Sequence, residues 1–127
     1  MSYLLVMFGG ALGALSRYGL GQMLSGVKAL SMPLGTLIIN LLGCLLLGFL
    51  TGYAGRHACL PMLSEAQSRQ AMLLLTVGFC GAFTTFSTFS GETIKAMEAG
   101  LVWQSILYVL LSVGLGLLLF WLGKNLA

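Results

Sequence analysis

Four successive stretches of this 127-residue chain are apolar for long enough to cross a bilayer, and little else is left over. A membrane-spanning helix needs about 20 mostly apolar residues. The first stretch runs over 4–24, interrupted only by Arg17, and the second over 34–55 without a charge. The third begins near Gln70 and stays uncharged until Glu92, and the fourth covers 100–123, closed by Lys124. A short loop through Lys28 to Met32 joins the first two, with Pro33 placed to start the next helix, where its missing N–H costs nothing. Residues 56–69 form the longest connector and carry His57, Cys59, Pro61 and Glu65. The expectation is an all-α membrane protein, a single four-helix transmembrane domain over 1–127. The first span lacks the basic leader and cleavage site of a signal peptide and is expected as a mature helix. An even number of spans places both termini on one side.

The charged residues exclude most other classes. Six basic and three acidic side chains make up 7% of the chain, against about 25% in a soluble domain. Aspartate is absent, and the net charge of +3 is scattered, whereas a nucleic-acid surface needs a clustered basic face. The three cysteines are odd in number and form no C-x-x-C pair, so neither a disulfide framework nor a zinc site is supported. Cys44 and Cys80 read as small apolar residues within spans. His57 stands alone in its loop, away from any acid at membrane depth, so an enzyme is not expected.

Basic residues in loops normally fix orientation, because they stay on the cytoplasmic side. Here the face with the termini has Arg56, Arg69 and Lys124, and the opposite face has Arg17, Lys28 and Lys95. The balance leaves no reason to insert one way only. Dual insertion is expected, and it permits an antiparallel dimer with its two-fold axis in the membrane plane. Glycine favours dense packing as well: there are eighteen, about twice the usual share. Gly9 with Gly13, and Gly48 with Gly52, have the spacing that lets helix backbones approach closely. Four helices alone enclose little space, so a conducting path would need more than one copy.

The third span carries the chemistry. The run Gly78-Phe79-Cys80-Gly81-Ala82-Phe83-Thr84-Thr85-Phe86-Ser87-Thr88-Phe89-Ser90 brings five hydroxyls, two glycines and four phenylalanines to membrane depth. Thr85-Phe86-Ser87 repeats at once as Thr88-Phe89-Ser90, which puts Phe86 and Phe89 on one side of a helix. Gly81, followed by threonines able to bond backbone carbonyls, points to a break in this helix. A broken helix survives in lipid only where its freed backbone groups face protein, water or an ion. Phenylalanine edges are positive, so edges turned into a pore attract a small anion without trapping it. The alternative for Phe86 and Phe89 is ordinary packing.

Other polar groups lie at depth. Asn40, early in the second span, must find a partner, because an unpaired amide in hydrocarbon costs several kcal/mol. It either bridges two helices or lines an aqueous path. Tyr108 and Ser112 share a face of the fourth span, with Gly116 a turn further. Arg17 lies about 10 Å of helical rise from Leu24 and can snorkel or line a vestibule.

These residues together resemble the small bacterial fluoride channels, the Fluc or CrcB family. The resemblance covers essentially the whole chain. It rests on Gly9-Gly10, Gly13 and Arg17-Tyr18, on Gly35-Thr36-Leu37 with Asn40 and Gly43, and above all on Gly78-Phe79-Cys80-Gly81 through Phe89. At Ala82 the family commonly has a second glycine. The resemblance implies an antiparallel dual-topology homodimer in the bacterial cytoplasmic membrane, with two pores along the subunit interface. It implies passive, fluoride-selective export that confers fluoride resistance. A structural sodium ion is implied on the two-fold axis, held by the carbonyls of Gly81 and Thr84. Asn40, Phe86 and Phe89 match pore residues, Ser87, Thr88, Tyr108 and Ser112 match the polar track, and Arg17 and Glu92 match the vestibule. The anion's identity comes from the resemblance alone.

Two other functions fit four short-linked spans. A small multidrug exporter needs a proton-exchanging carboxylate deep in its first span, and residues 1–24 contain none. A non-transporting assembly factor would explain the glycines but would leave the hydroxyl and phenylalanine repeat without a purpose.

Overall fold

A computed structural model describes residues 2–29, 32–57 and 63–127. Cys59 and Pro61, placed by the sequence in the middle connector, lie outside the described residues. Helix α1 spans Ser2–Met23, and a two-residue antiparallel pairing of β1 (Lys28–Ala29) with β2 (Met32–Pro33) leads into α2 (Leu34–Arg56). The third span is built from pieces: α3 (Glu65–Leu73), a π-helical stretch (Leu74–Cys80), the single turn α4 (Gly81–Phe83) and α5 (Phe86–Glu98). Helix α6 (Val102–Leu126) completes the bundle. Among the described residues four helices are thus long and apolar enough to cross a membrane, with the third counted from Glu65 to Glu98.

The connector ahead of the third span is shorter than the expected 56–69, and the cause is a local cap. Ser64 Oγ accepts from the Gln67 N–H, and the Ser64 N–H donates 2.9 Å to Gln67 Oε1. This reciprocal capping box satisfies two otherwise orphaned donors and starts the helix at Glu65. The turn into α6 is equally specific. The Gly100 N–H bonds the Met97 carbonyl and the Leu101 N–H bonds the Ala96 carbonyl. That pattern needs a left-handed residue just past the helix end, and Gly100 supplies it at φ +82°.

Two backbone-to-backbone seams hold the bundle together. A β-carbon on Gly48 would fall on the Phe120 carbonyl, one on Gly52 on the Lys124 carbonyl, and one on Gly123 on the Leu45 carbonyl. This seam joins α2 to α6. Along the other, Gly9 faces the Leu74 carbonyl and Gly78, and Gly13 faces the Phe79 carbonyl, so α1 lies against the π-helical stretch. Large apolar side chains such as Leu12, Leu15, Leu117 and Trp121 point outward, as a lipid-facing surface requires.

Candidate functional site

The third span breaks at Thr84 and Thr85. Thr84 has ψ 158° and Thr85 has φ −148° with ψ 117°, both extended, whereas Gly81 itself stays helical at φ −62°. Hydroxyls make the break self-consistent. Thr84 Oγ1 donates 3.0 Å to the Cys80 carbonyl at the end of the preceding turn. Thr85 Oγ1 accepts from the Thr88 N–H and so caps the start of α5. An N-cap threonine takes up one of the four orphan donors there and is worth about 1 kcal/mol.

Asn40 supplies what the local sequence cannot. Its Oδ1 accepts from the Thr85 N–H at 2.8 Å, and its Nδ2 donates 3.1 Å to the Thr85 carbonyl. In an unbroken helix the Thr85 N–H would close on the Gly81 carbonyl, and the Thr88 N–H on the Thr84 carbonyl. With those donors given to Asn40 and Thr85 Oγ1, neither carbonyl keeps its helical partner. Asn40 therefore bridges two helices and lines a cavity as well.

That cavity, about 280 Å³, opens between α2, the break and α6, and is lined by Asn40, Cys44, Thr84, Thr85, Phe86, Phe89 and Ser112 among others. Phe86 and Phe89 tilt at 45° with centroids 5.7 Å apart, and Phe89 lies 5.4 Å from Tyr108. Phe86 is 79% exposed, so the cavity is open on that side. Ser112 Oγ is shielded from solvent and has no hydrogen-bond partner among the described residues. A second cavity of about 260 Å³ is lined by Arg17, Thr36, Thr85 and Thr88. Thr85 is the residue the two cavities share.

The carboxylate of Glu92 closes a third cluster. Oε1 accepts from Thr36 Oγ1 and Oε2 from the Tyr108 hydroxyl, each at 2.8 Å. Both oxygens of a charge within the span are thereby bonded, as burial of a carboxylate demands.

Of the residues the sequence marks out, Asn40, Phe86, Phe89 and Ser112 meet in one cavity, with Thr84 at its edge. Arg17 and Thr88 meet in the other. Tyr108 stands apart: it is 3% exposed, and its proton is committed to Glu92. Ser87 is exposed and reaches Thr85 Oγ1 at 3.3 Å. Gly81 sits one turn ahead of the break and is exposed. Sequence reasoning did not single out Thr85 or Thr36 as site residues. Thr85 opens the Thr-Phe-Ser repeat and is one of the two threonines after Gly81 that point to the break.

The fold and this site define a multi-pass membrane protein with a polar and aromatic cavity at a break in its third span. Comparison with known families agrees: the profile of "CrcB-like protein, Camphor Resistance (CrcB)" matches residues 4–124. A protein named fluoride-specific ion channel FluC from Dehalococcoides mccartyi is 44% identical over 123 residues, covering 97% of this chain and 89% of its own. One of the same name from Thermus thermophilus is 44% identical over 124 residues, covering 98% and 91%. A FluC 2 from Symbiobacterium thermophilum is 45% identical over 119 residues, covering 94% and 91%. The chain belongs to the CrcB family.

Proposed function

We propose that this chain is a fluoride channel of the bacterial cytoplasmic membrane, a passive, selective exit for fluoride rather than an enzyme. The observation that carries this reading is the cavity at the break. A buried hydroxyl without a partner costs free energy, and Ser112 Oγ is such a hydroxyl, facing a space that also holds the Asn40 amide and the Phe86 and Phe89 rings. Asn40 Nδ2 gives one proton to the Thr85 carbonyl and keeps a second to offer. A fluoride ion holds its water tightly, so a pore must replace that shell with donors and positive edges. These groups supply both without a full positive charge that would hold the ion in place. Relatives named as fluoride-specific ion channels point to the same ion.

The anion's route begins in the cavity of Arg17 and Thr88 and crosses to the phenylalanine cavity at Thr85. Ser87 and Thr88, both within reach of Thr85 Oγ1, extend the hydroxyl track. Glu92 acts at the vestibule side by holding Thr36 and Tyr108 in place, and Tyr108 serves the track through its packing on Phe89. A second copy closes the open side beside Phe86. The even split of basic residues makes that copy antiparallel, which gives two equivalent pores per homodimer. The backbone at the break fits a structural sodium ion on the dimer axis. The Gly81 and Thr84 carbonyls have lost their helical donors, and neutral oxygens suit a hard cation. The ion would screen those carbonyls where the two copies meet.

Liposomes containing the purified chain should release fluoride rapidly and retain chloride. Chloride release at a similar rate would overturn the selective-channel reading. Dual topology is tested separately: with Cys44, Cys59 and Cys80 replaced, Ala127→Cys should be labelled from both faces of the membrane. Labelling from one face only would sink the antiparallel arrangement.

A further inference from the structure

A third concavity lies well away from the break, where the end of α2 meets the start of α3. It measures about 260 Å³ and is lined by Tyr53, Ala54, His57, Glu65, Arg69 and Met72 along with Ser68. We infer that this pocket binds the headgroup of a zwitterionic phospholipid, with Arg69 on the phosphate and Glu65 on the amine. The inference is independent of the pore.

Position comes first. Arg56 ends α2 and Glu65 begins α3, so at 1.5 Å per residue every lining residue lies within about 12 Å of a helix end. That depth is the headgroup layer and the boundary beneath it. The lining is also graded. His57, Glu65 and Arg69 are exposed at the outer rim, and Ala54, Met72 and the Tyr53 ring lie further along their helices toward the apolar core. A phospholipid has the same gradient, polar headgroup above and glycerol and acyl carbons below. A free phosphate ion would have no use for the apolar floor.

Charge then selects the headgroup. Glu65 and Arg69 are four residues apart on α3 and so share a face, yet no ion pair joins them among the described residues. Neither side chain shows another hydrogen bond there. An unpaired carboxylate and an unpaired guanidinium on one rim form the complement of a zwitterion. The guanidinium fork suits a phosphate's geometry. The His57 ring, packed on Tyr53 with centroids 4.5 Å apart, stands on the opposite wall as a further donor. Glu65 and Arg69 together bring no net charge to the rim, which disfavours a purely anionic lipid.

The test uses the intact protein reconstituted in vesicles with equal phosphatidylethanolamine and phosphatidylglycerol, extracted mildly and examined by native mass spectrometry. The wild type should retain phosphatidylethanolamine. Arg69→Gln should lower that retention about tenfold, the equivalent of ~1.4 kcal/mol. Glu65→Gln, which leaves the guanidinium unopposed, should shift preference toward phosphatidylglycerol. Unchanged lipid retention in both variants overturns the proposal. So does loss of the lipid on adding millimolar inorganic phosphate, which would mark the pocket as a simple anion site. Fluoride flux through Glu65→Gln, which leaves the split of basic residues even, should match the wild type, so failure here and failure of the channel reading can be told apart.

Discussion

Phe86→Ile and Phe89→Ile are each expected to abolish or greatly reduce fluoride flux in liposomes while the dimer still assembles. Isoleucine keeps comparable apolar bulk but has no positive ring edge, so the substitution separates an electrostatic role from packing. The two positions are not equivalent as tests. Phe86 is 79% exposed in the single chain, and little of the chain's own stability rests on it. Phe89 packs on Tyr108, and its replacement should cost about 1–2 kcal/mol of stability besides the flux. A loss of ~2.7 kcal/mol of anion stabilisation at the barrier to passage slows it about a hundredfold, so the readout is large. Asn40→Asp should fail too, for two reasons. It sets a carboxylate oxygen against the Thr85 carbonyl that Asn40 Nδ2 now satisfies, and it turns a like charge toward the anion. Wild-type flux in all three variants would place the path elsewhere, and loss of the folded dimer in both phenylalanine variants would favour a packing role.

Gly48→Ala is expected to be the most damaging small substitution for the fold. An added methyl at Gly48 meets the backbone of Phe120, and one at Gly123 meets the backbone of Leu45, so α2 and α6 block each other from both sides. Backbone cannot rotate away as a side chain can, so the helices must separate, at a cost of about 1–3 kcal/mol. Gly114→Ala, in the interior of α6, is the control, because nothing lies within 4 Å of its added methyl. Both changes gain the same helix propensity, up to about 1 kcal/mol, so their difference isolates the contact. Heating the purified protein and following the loss of the folded species by size-exclusion chromatography gives the comparison. Equal stability of the two variants would show that the seam tolerates extra volume.

Much of this architecture is legible in the sequence because the solvent is lipid. The ends of α1 and α2 follow from where apolar runs stop, and the glycine spacings in α1 and α2 mark the two seams. The third span is less legible, for physical reasons. Its start at Glu65 depends on a capping box that a hydropathy reading passes over. Gly81 with Thr84 and Thr85 behind it marks the break, but not which residue turns: Gly81 stays helical, and the chain turns at the two threonines, whose hydroxyls can replace helical bonds. The π-helical stretch has no local signature at all. It lies where Gly78 meets Gly9 of another helix, a pairing that sequence spacing does not reveal. Likewise Tyr108 reads as a free donor until Glu92, sixteen residues earlier, is seen to accept its hydrogen bond.

The bond between Asn40 and Thr85 also bears on the order of assembly. The bend in the third span is secured in part by an amide from the second, so some of its hydrogen bonding is borrowed. Without that loan, the Thr85 N–H has only the Gly81 carbonyl to turn to, and the segment is free to close into one straight helix as it enters the bilayer. The kink is then installed on docking, when α2 presents its asparagine. A newly inserted chain would thus carry no finished pore, whichever way it faced, and the conducting shape would arise only as the helices come together.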